Sequence, residues 1–174
     1  MKKIAIFVIF LLIVGVVFGQ EFTFRGLPWG STVEEIITKN GDPSSISPMS
    51  HSVDGKTLTV FYNNIYVAGF RVILGYHITE KEGWHSSSYI IESWQIDKDN
   101  FHDIFNKVEG YLLTLYGTPI RNTIQRETVA TQESLWNKYG TMIRLSMITF
   151  VRGSFNITIT YLAPFSPQNK FSGL

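Results

Sequence analysis

Apolar residues recur at helical spacing in two places along the chain. Residues 101–115 carry the longer pattern, in which intervals of three and four residues define one face of a helix; its apolar positions are Phe101, Ile104, Phe105, Val108, Leu112 and Leu115. The segment STVEEII, residues 31–37, has a shorter apolar face and begins with a capping box, which pairs either Ser31 with Glu34 or Thr32 with Glu35. The pattern therefore predicts one helix in each half of the chain.

Both predicted helices end in the same short phrase. IITKNGDP, residues 36–43, returns as LLTLYGTP, residues 112–119, so that the glycine and the proline of each phrase lie 76 residues from their counterparts. Glycine closes the last helical turn in a left-handed conformation, and a proline two residues later prevents the helix from continuing. The repetition indicates a duplicated unit, although two helices that acquired this common terminator independently would give the same phrase.

After each phrase the apolar residues alternate with polar ones, which is typical of half-buried strands. The first half predicts strands at 57–62, 65–76 and 87–96, with Asn63-Asn64 as a tight hairpin turn. The second half predicts four further strands and two turns, namely strands at 120–129, 133–138, 142–150 and 154–162 and turns at Gly140 and Arg152-Gly153. Each half is therefore predicted to be a helix followed by an antiparallel meander.

These elements predict an α+β fold made of two tandem helix-then-meander units. The expected boundaries are a leader at 1–19, a first unit at 20–98 and a second unit at 99–174, packed as one compact domain. Each sheet has one apolar face to bury under its helix. If the two sheets joined into one sheet with both helices on the same side, more apolar surface would be buried. The other sheet face would then be open to water or to a partner.

The first 19 residues have the features of an export signal. Two lysines precede an apolar run from Ile4 to Phe18, and the residues Val17 and Gly19 suit cleavage before Gln20. The apolar run is short for a membrane span, which needs about 20 residues. We therefore expect a periplasmic or secreted protein, and an uncleaved N-terminal anchor is the alternative.

Composition narrows the expected setting further. The chain has no cysteine, so it has no residue to carry the lipid of a bacterial lipoprotein and it forms no disulfide. A small exported protein without disulfides must be held together by its core, which suits a bacterial envelope. The net charge is +1 and there is no basic run, so nothing indicates a nucleic-acid-binding surface.

The segment FRGLPWGSTVEEIITKNGDP, residues 24–43, resembles the opening of a loose group of small exported bacterial proteins. They begin F-x-G-x-x-W-G, continue with a capped helix and end it with G-x-P; the matching residues here are Phe24, Gly26, Trp29, Gly30, Ser31, Gly41 and Pro43. The helix-then-meander unit is also similar to outer-membrane assembly lipoproteins of the SmpA/BamE type and, in tandem, to the β-lactamase inhibitory protein. The resemblance implies a non-enzymatic binding or assembly role. The lipid-bearing cysteine and the inhibitor's disulfides are missing here, so neither location nor contact residues carry over.

The sequence offers few groupings of reactive residues. The histidines form no metal-ligand spacing, and DKDNFHD, residues 97–103, lacks the glycine and the final glutamate of a calcium loop. No nucleophile-elbow or phosphate-loop motif occurs. We therefore predict no metal, no cofactor and no enzymatic activity. The alternative is a hydrolase of envelope polysaccharide or peptide, which would need two convergent carboxylates or a Ser/His pair in a cleft.

One long polar segment supplies the candidate contact residues. HITEKEGWHSSS, residues 77–88, is expected to join two strands as a loop with Trp84 near its tip. A tryptophan in that position is either a clamp on its own loop or a contact for a partner. The candidate partner-binding residues are Trp84, His77, His85 and Tyr76, and the predicted function is that of an exported binding or assembly module for a protein partner.

Overall fold

The structure is a computed structural model that describes five stretches of the chain, residues 22–49, 57–91, 100–126, 130–149 and 155–164. Several features predicted from the sequence lie outside these residues. They are the leader at 1–19, the unit boundary at 98/99, the second half of the strand predicted at 87–96 and the Arg152-Gly153 turn.

The described residues form two helices and eight strands. Helix α1 spans Val33–Asn40 and helix α2 spans Phe101–Tyr116. The strands are β1 (Ser45–Met49), β2 (Thr57–Val67), β3 (Phe70–Thr79), β4 (Gly83–Ile91), β5 (Arg121–Arg126), β6 (Ala130–Lys138), β7 (Thr141–Thr149) and β8 (Phe155–Leu162). All neighbours are antiparallel, and the order across the sheet is β1-β2-β3-β4-β8-β7-β6-β5.

The prediction of two tandem α+β units is wrong, because the strands form one continuous eight-stranded sheet. Strands account for 55% of the structure and helices for 21%, so the protein is mainly β. The joint lies between β4 and β8, where Ser86–Ile91 pairs with Ile157–Leu162. Separate units would leave these two strands as exposed edges, and pairing them satisfies both rows of backbone groups. Local periodicity carries no signal for such a pairing, which explains the error.

One face of this sheet holds the core. Alternate residues of the four inner strands, β3, β4, β8 and β7, point to this face. The register aligns these residues in rows, for example Leu74 with Tyr89 and Tyr89 with Ile159. Both helices pack on this side, through Ile36 of α1 and Phe105 of α2, each fully buried. We call this side of the sheet the helix face. Neither described helix combines the length and the apolar character that crossing a membrane requires.

The predicted helix starts and ends are confirmed in α1 and, at its C-terminus, in α2. Of the two possible capping boxes the structure uses Thr32 with Glu35, whose backbone and side-chain groups bond reciprocally. Gly41 and Gly117 close the two helices at φ values of 83° and 80°, and each donates its backbone N–H to the last turn. The repeated phrase is therefore a helix terminator in both places.

Two turns of the first half differ from the prediction. Asn63-Asn64 is not the hairpin turn; β2 continues through it with an irregular register, and the chain turns at Ala68-Gly69, where both residues have positive φ. Residues 77–88 are not a loop, since β3 runs to Thr79 and β4 starts at Gly83. The second-half strands are confirmed, and the turn at Gly140 has the paired positive φ values of a tight hairpin.

Candidate functional site

The four residues that the sequence nominated lie on opposite sides of the sheet. Trp84 is 1% exposed and Tyr76 is fully buried, both on the helix face. The indole N–H of Trp84 donates to the Ser86 carbonyl and the Ser87 hydroxyl, each at 2.9 Å. Neither side chain is therefore open to a partner in the folded chain. His77 points to the other side of the sheet.

Trp84 belongs to an aromatic seam that joins the N-terminal segment to both halves of the sheet. Its ring stacks on Trp29 with centroids 4.2 Å apart, and the Trp29 indole donates to Thr141 Oγ1 at 3.0 Å. The backbone of Gly30 and Ser31 pairs with that of Trp84. Phe24 lies at the centre of the seam, since its ring contacts those of Tyr76, Trp84, Tyr89 and Tyr161. The F-x-G-x-x-W-G residues thus act here as a folding element.

Buried phenols line the helix face beside this seam. Burial raises the pKa of Tyr62, Tyr89, Tyr116 and, most strongly, Tyr161. The Tyr116 and Tyr161 hydroxyls lie 3.3 Å apart and share a hydrogen bond. The Tyr62 hydroxyl donates to the Gly41 carbonyl, so these phenols act as hydrogen-bonding groups inside the fold.

The opposite side of the sheet, the open face, has a different composition. Both described helices lie on the helix face, so neither of them covers it. The register places hydroxyl, histidine, arginine and scattered aliphatic side chains there; the principal members are Thr59, Phe61, Ile73, His77, Ser86, Ser88, Ile90, Leu135, Met142, Arg144, Ser146, Thr158 and Thr160. The open face is therefore the surface of this fold that carries polar groups on a rigid frame.

His77 is held between two hydroxyl groups on the open face. Its Nδ1 lies 3.1 Å from Thr59 Oγ1, and its Nε2 lies 3.2 Å from Ser88 Oγ. Burial, and after it the neighbouring His85, keeps the pKa of His77 below its ordinary value. A neutral imidazole donates one hydrogen bond and accepts one, and two hydroxyls satisfy either tautomer. The arrangement fixes the ring without giving it a charge.

His85 lies close enough to His77 to lower its pKa. It sits where the β3–β4 register shifts between His77 and Ile78. Its Nδ1 is buried and has no hydrogen-bond partner within the described residues. In that same part of the chain no three His, Cys, Asp or Glu side chains gather into a group that could hold a metal ion.

The contact between Ser88 and His77 has the residue types of a nucleophile and its base. The far side of the imidazole, however, meets a threonine hydroxyl, where a carboxylate would stabilise an imidazolium. Ser88 lies on β4, which pairs with β3 on one side and β8 on the other. The neighbouring backbone N–H groups are committed to these ladders and are not available to stabilise an oxyanion. The geometry suits hydrogen bonding better than acyl transfer.

A row of side chains crosses the centre of the open face through paired residues of seven strands. In order it contains Phe61, Gly75, Ser88, Thr160, Arg144, Leu135 and Arg121. The Phe61 ring lies over Gly75, where an added Cβ would come within 3.4 Å of it. The row therefore presents an aromatic ring at one end, hydroxyls in the middle and guanidinium groups towards the other end.

The sequence nominated His77 and His85 but missed Ser88, Thr59, Phe61 and Arg144. These residues come from strands far apart in the chain, and only the register brings them together. Alternation of polar residues along each strand was the one signal for them, and it marked the face without marking a site. Comparisons of the chain with known protein families, with curated proteins and with solved structures find no match.

Proposed function

We propose that the chain is an exported, non-enzymatic binding or assembly module of the bacterial envelope, and that its open face meets a protein partner. The observation that carries this proposal is an eight-stranded sheet with one face packed under both helices and the other presenting hydroxyl, histidine and arginine side chains. Rigid scaffolds that hold polar side chains on an uncovered surface are suited to recognition.

The size of the open face matches that of a protein interface. Eight strands about 4.8 Å apart and about eight residues long make a face of roughly 900 Å². A standard protein–protein interface takes about 800 Å² from each partner. The face is a broad surface, whereas small-molecule sites are concave and mostly apolar. Its area and shape therefore favour a macromolecule.

The proposed location depends on the leader. The expected export signal places the module in the periplasm or outside the cell, and the missing cysteine leaves it without a lipid. The resemblance to small exported envelope proteins supports the same setting.

Site-specific photocrosslinking tests the proposed face. A photoreactive phenylalanine analogue is placed at Thr158 or Ser146 on the open face and, as matched controls, at the exposed Thr38 and Asn106 on the two helices. The full chain is expressed in its own cells and irradiated. We expect discrete protein adducts from the open-face positions and none from the helix positions. Adducts that are absent everywhere, or equal at all four positions, would contradict the proposal.

The hydrolase alternative has one observation in its favour, the 3.2 Å contact between Ser88 and His77. A fluorophosphonate probe labels serines that a neighbouring base activates. We expect no labelling of the wild-type chain, with Ser88→Ala as the matched control. Labelling that is present in the wild type and lost in Ser88→Ala would replace the binding module with an enzyme.

A further inference from the structure

Arg144 is unlike every other side chain on the inner strands. Among the described side chains of β3, β4, β8 and β7, it alone is exposed. It lies on β7, an internal strand with five strands of the sheet on one side and two on the other. No hydrogen bond or ion pair involves it within the described residues. In the part of the chain that the structure describes, an exposed guanidinium group thus stands unpaired on an internal strand of the proposed binding face.

Arg144 is surrounded by hydroxyl-bearing side chains on one side and aliphatic side chains on the other. Its direct cross-strand neighbours are Thr160 on β8 and Leu135 on β6. Along its own strand, Ser146 and Met142 point to the same face, and Ser88 lies beyond Thr160 in the same row. Hydroxyl groups therefore lie towards the middle of the sheet, and half-buried aliphatic side chains lie beside them.

The charges of the open face leave Arg144 without a counterion. Glu133 is the acidic side chain that the described strands place on this face, and its carboxylate lies 3.4 Å from Arg121 Nη2. Arg121 is on the edge strand and its side chain is 64% exposed. Arg71 of β3 lies on the same face, which therefore carries an excess positive charge, and Arg144 is the exposed cation of its inner strands.

We propose that Arg144 is the specificity anchor of the open face, and that the partner presents to it an Asp or Glu carboxylate from an otherwise apolar protein surface. The inference rests on the proposed function and names the chemistry of the partner. Arginine is enriched in interface hot spots, where surrounding contacts exclude water from it. A guanidinium group that loses water on binding needs a carboxylate or a similar anion in return. Nearby hydroxyls of Ser146 and Thr160 can donate to the same carboxylate.

The surroundings favour a protein carboxylate over a polyanion such as an acidic polysaccharide. Polyanions are recognised by clusters or stripes of Lys and Arg, which spread the contact over many charges. Here the three arginines that the described strands place on this face are spread over β3, β5 and β7, and Arg144 has Leu135 and Met142 beside it. Apolar neighbours around one charge match an acidic side chain that projects from an apolar protein contact.

The test adds charge reversal to the crosslinking experiment. The photoreactive residue stays at Thr158, and the chain carries Arg144→Glu, Arg144→Lys or, as the matched control on the same face, Arg121→Glu. We expect adduct yield to fall at least tenfold in Arg144→Glu and partly in Arg144→Lys, while Arg121→Glu changes it less than twofold. Thermal unfolding of each variant confirms the fold: the Arg144 variants should match the wild type because Arg144 is exposed, and Arg121→Glu should unfold slightly earlier because it removes the ion pair with Glu133.

The partner side of the adduct completes the test. Mass spectrometry of the wild-type adduct is expected to identify a partner peptide with an Asp or Glu, and changing that acid to Arg should restore crosslinking to Arg144→Glu. Three results would overturn the inference: an unchanged yield in Arg144→Glu, a crosslinked peptide without an acid, or Arg144-dependent binding to polyphosphate beads in place of a protein. If the wild type gives no adduct at all, the proposed function fails and this inference fails with it.

Discussion

The two faces of the sheet are built from the same strands and yet carry different kinds of side chain. On the helix face, neighbouring rows are aromatic or aliphatic, and residues such as Leu74, Ile143 and Ile159 are fully buried. On the open face the alternate positions carry hydroxyls, His77 and Arg144. Side chains alternate between the two faces along each strand. The residues on the helix face can therefore stabilise the fold, while the residue types on the open face are free to differ. The difference indicates that the helix face supplies the stability, and recognition is the role we propose for the open face.

The largest expected difference between the faces concerns two phenylalanines. Phe24 is 4% exposed and contacts four aromatic rings on the helix face. Phe24→Ala should lower the free energy of unfolding by about 3–5 kcal/mol, since it leaves a large cavity. Phe61→Ala on the open face is the matched control and should cost less than half as much, because Phe61 is only half-buried. Chemical denaturation followed by circular dichroism measures the free energy of unfolding of both variants. Equal decreases would contradict the claim that the helix face contributes more to stability than the open face.

Two glycines make a second, smaller contrast. Gly83 has a φ of 66°, and an added Cβ would meet the Gly30 carbonyl oxygen in the aromatic seam. Gly83→Ala should therefore destabilise the fold by about 1–3 kcal/mol through backbone strain. On the open face, Gly75→Ala would approach only the Thr59 methyl group at 3.3 Å and the Phe61 ring, which can move. The same denaturation measurement should show a clearly smaller loss for Gly75→Ala, and the reverse order would be a contradiction.

Protonation of His77 should weaken the fold from the open face. The folded pKa of His77 is lowered by burial, so below about pH 6.5 the unfolded chain takes up this proton more readily than the folded chain. The contribution of His77 to stability is full above that pH and declines as the pH falls below it. We expect the denaturation midpoint to drop between about pH 7.5 and about pH 5, and this drop to shrink in His77→Gln. His102→Gln, at an exposed helix position, is the control that should keep the drop.

The smallest effect is expected for the ion pair at the edge of the open face. Arg121 and Glu133 approach to 3.4 Å with side chains 64% and 26% exposed. Solvent screening limits such pairs to at most about 1 kcal/mol. A double-mutant cycle with Arg121→Ala and Glu133→Ala should give a coupling energy within that limit, and this coupling should decrease in high salt. A larger, salt-independent coupling would mean that this edge contributes to the stability of the fold.

The parts of the fold that the sequence predicted are those that local chemistry determines. The Thr32–Glu35 cap, the glycine terminators at 41 and 117, and the strands of the second half all depend on residues close together in the chain. The Asn63-Asn64 turn was misplaced because asparagine also suits the positive φ of a strand irregularity, and Asn64 has a φ of 60° there. A backbone preference alone does not distinguish those two uses.

The candidate site could not be predicted, since it depends on pairing between distant strands. Nothing near Arg144 in the sequence RLSM shows that Thr160 and Leu135 will flank it. Trp84 was assigned to a loop tip because the polar residues 79–82 around a glycine resemble a long connection, whereas they form a short hairpin end. The joint between β4 and β8 brings Ser88 beside Thr160, and it joins segments about seventy residues apart.

The bond from Trp29 to Thr141 has a consequence for the order in which the molecule is made. The two residues are separated by 112 positions, so during synthesis the indole has no acceptor until most of the polypeptide has left the ribosome. The N-terminal segment and the first four strands must remain without their final closure during that interval. Folds dominated by such distant contacts close slowly. The contact that ties the N-terminal segment to β7 therefore forms only after that strand has been made.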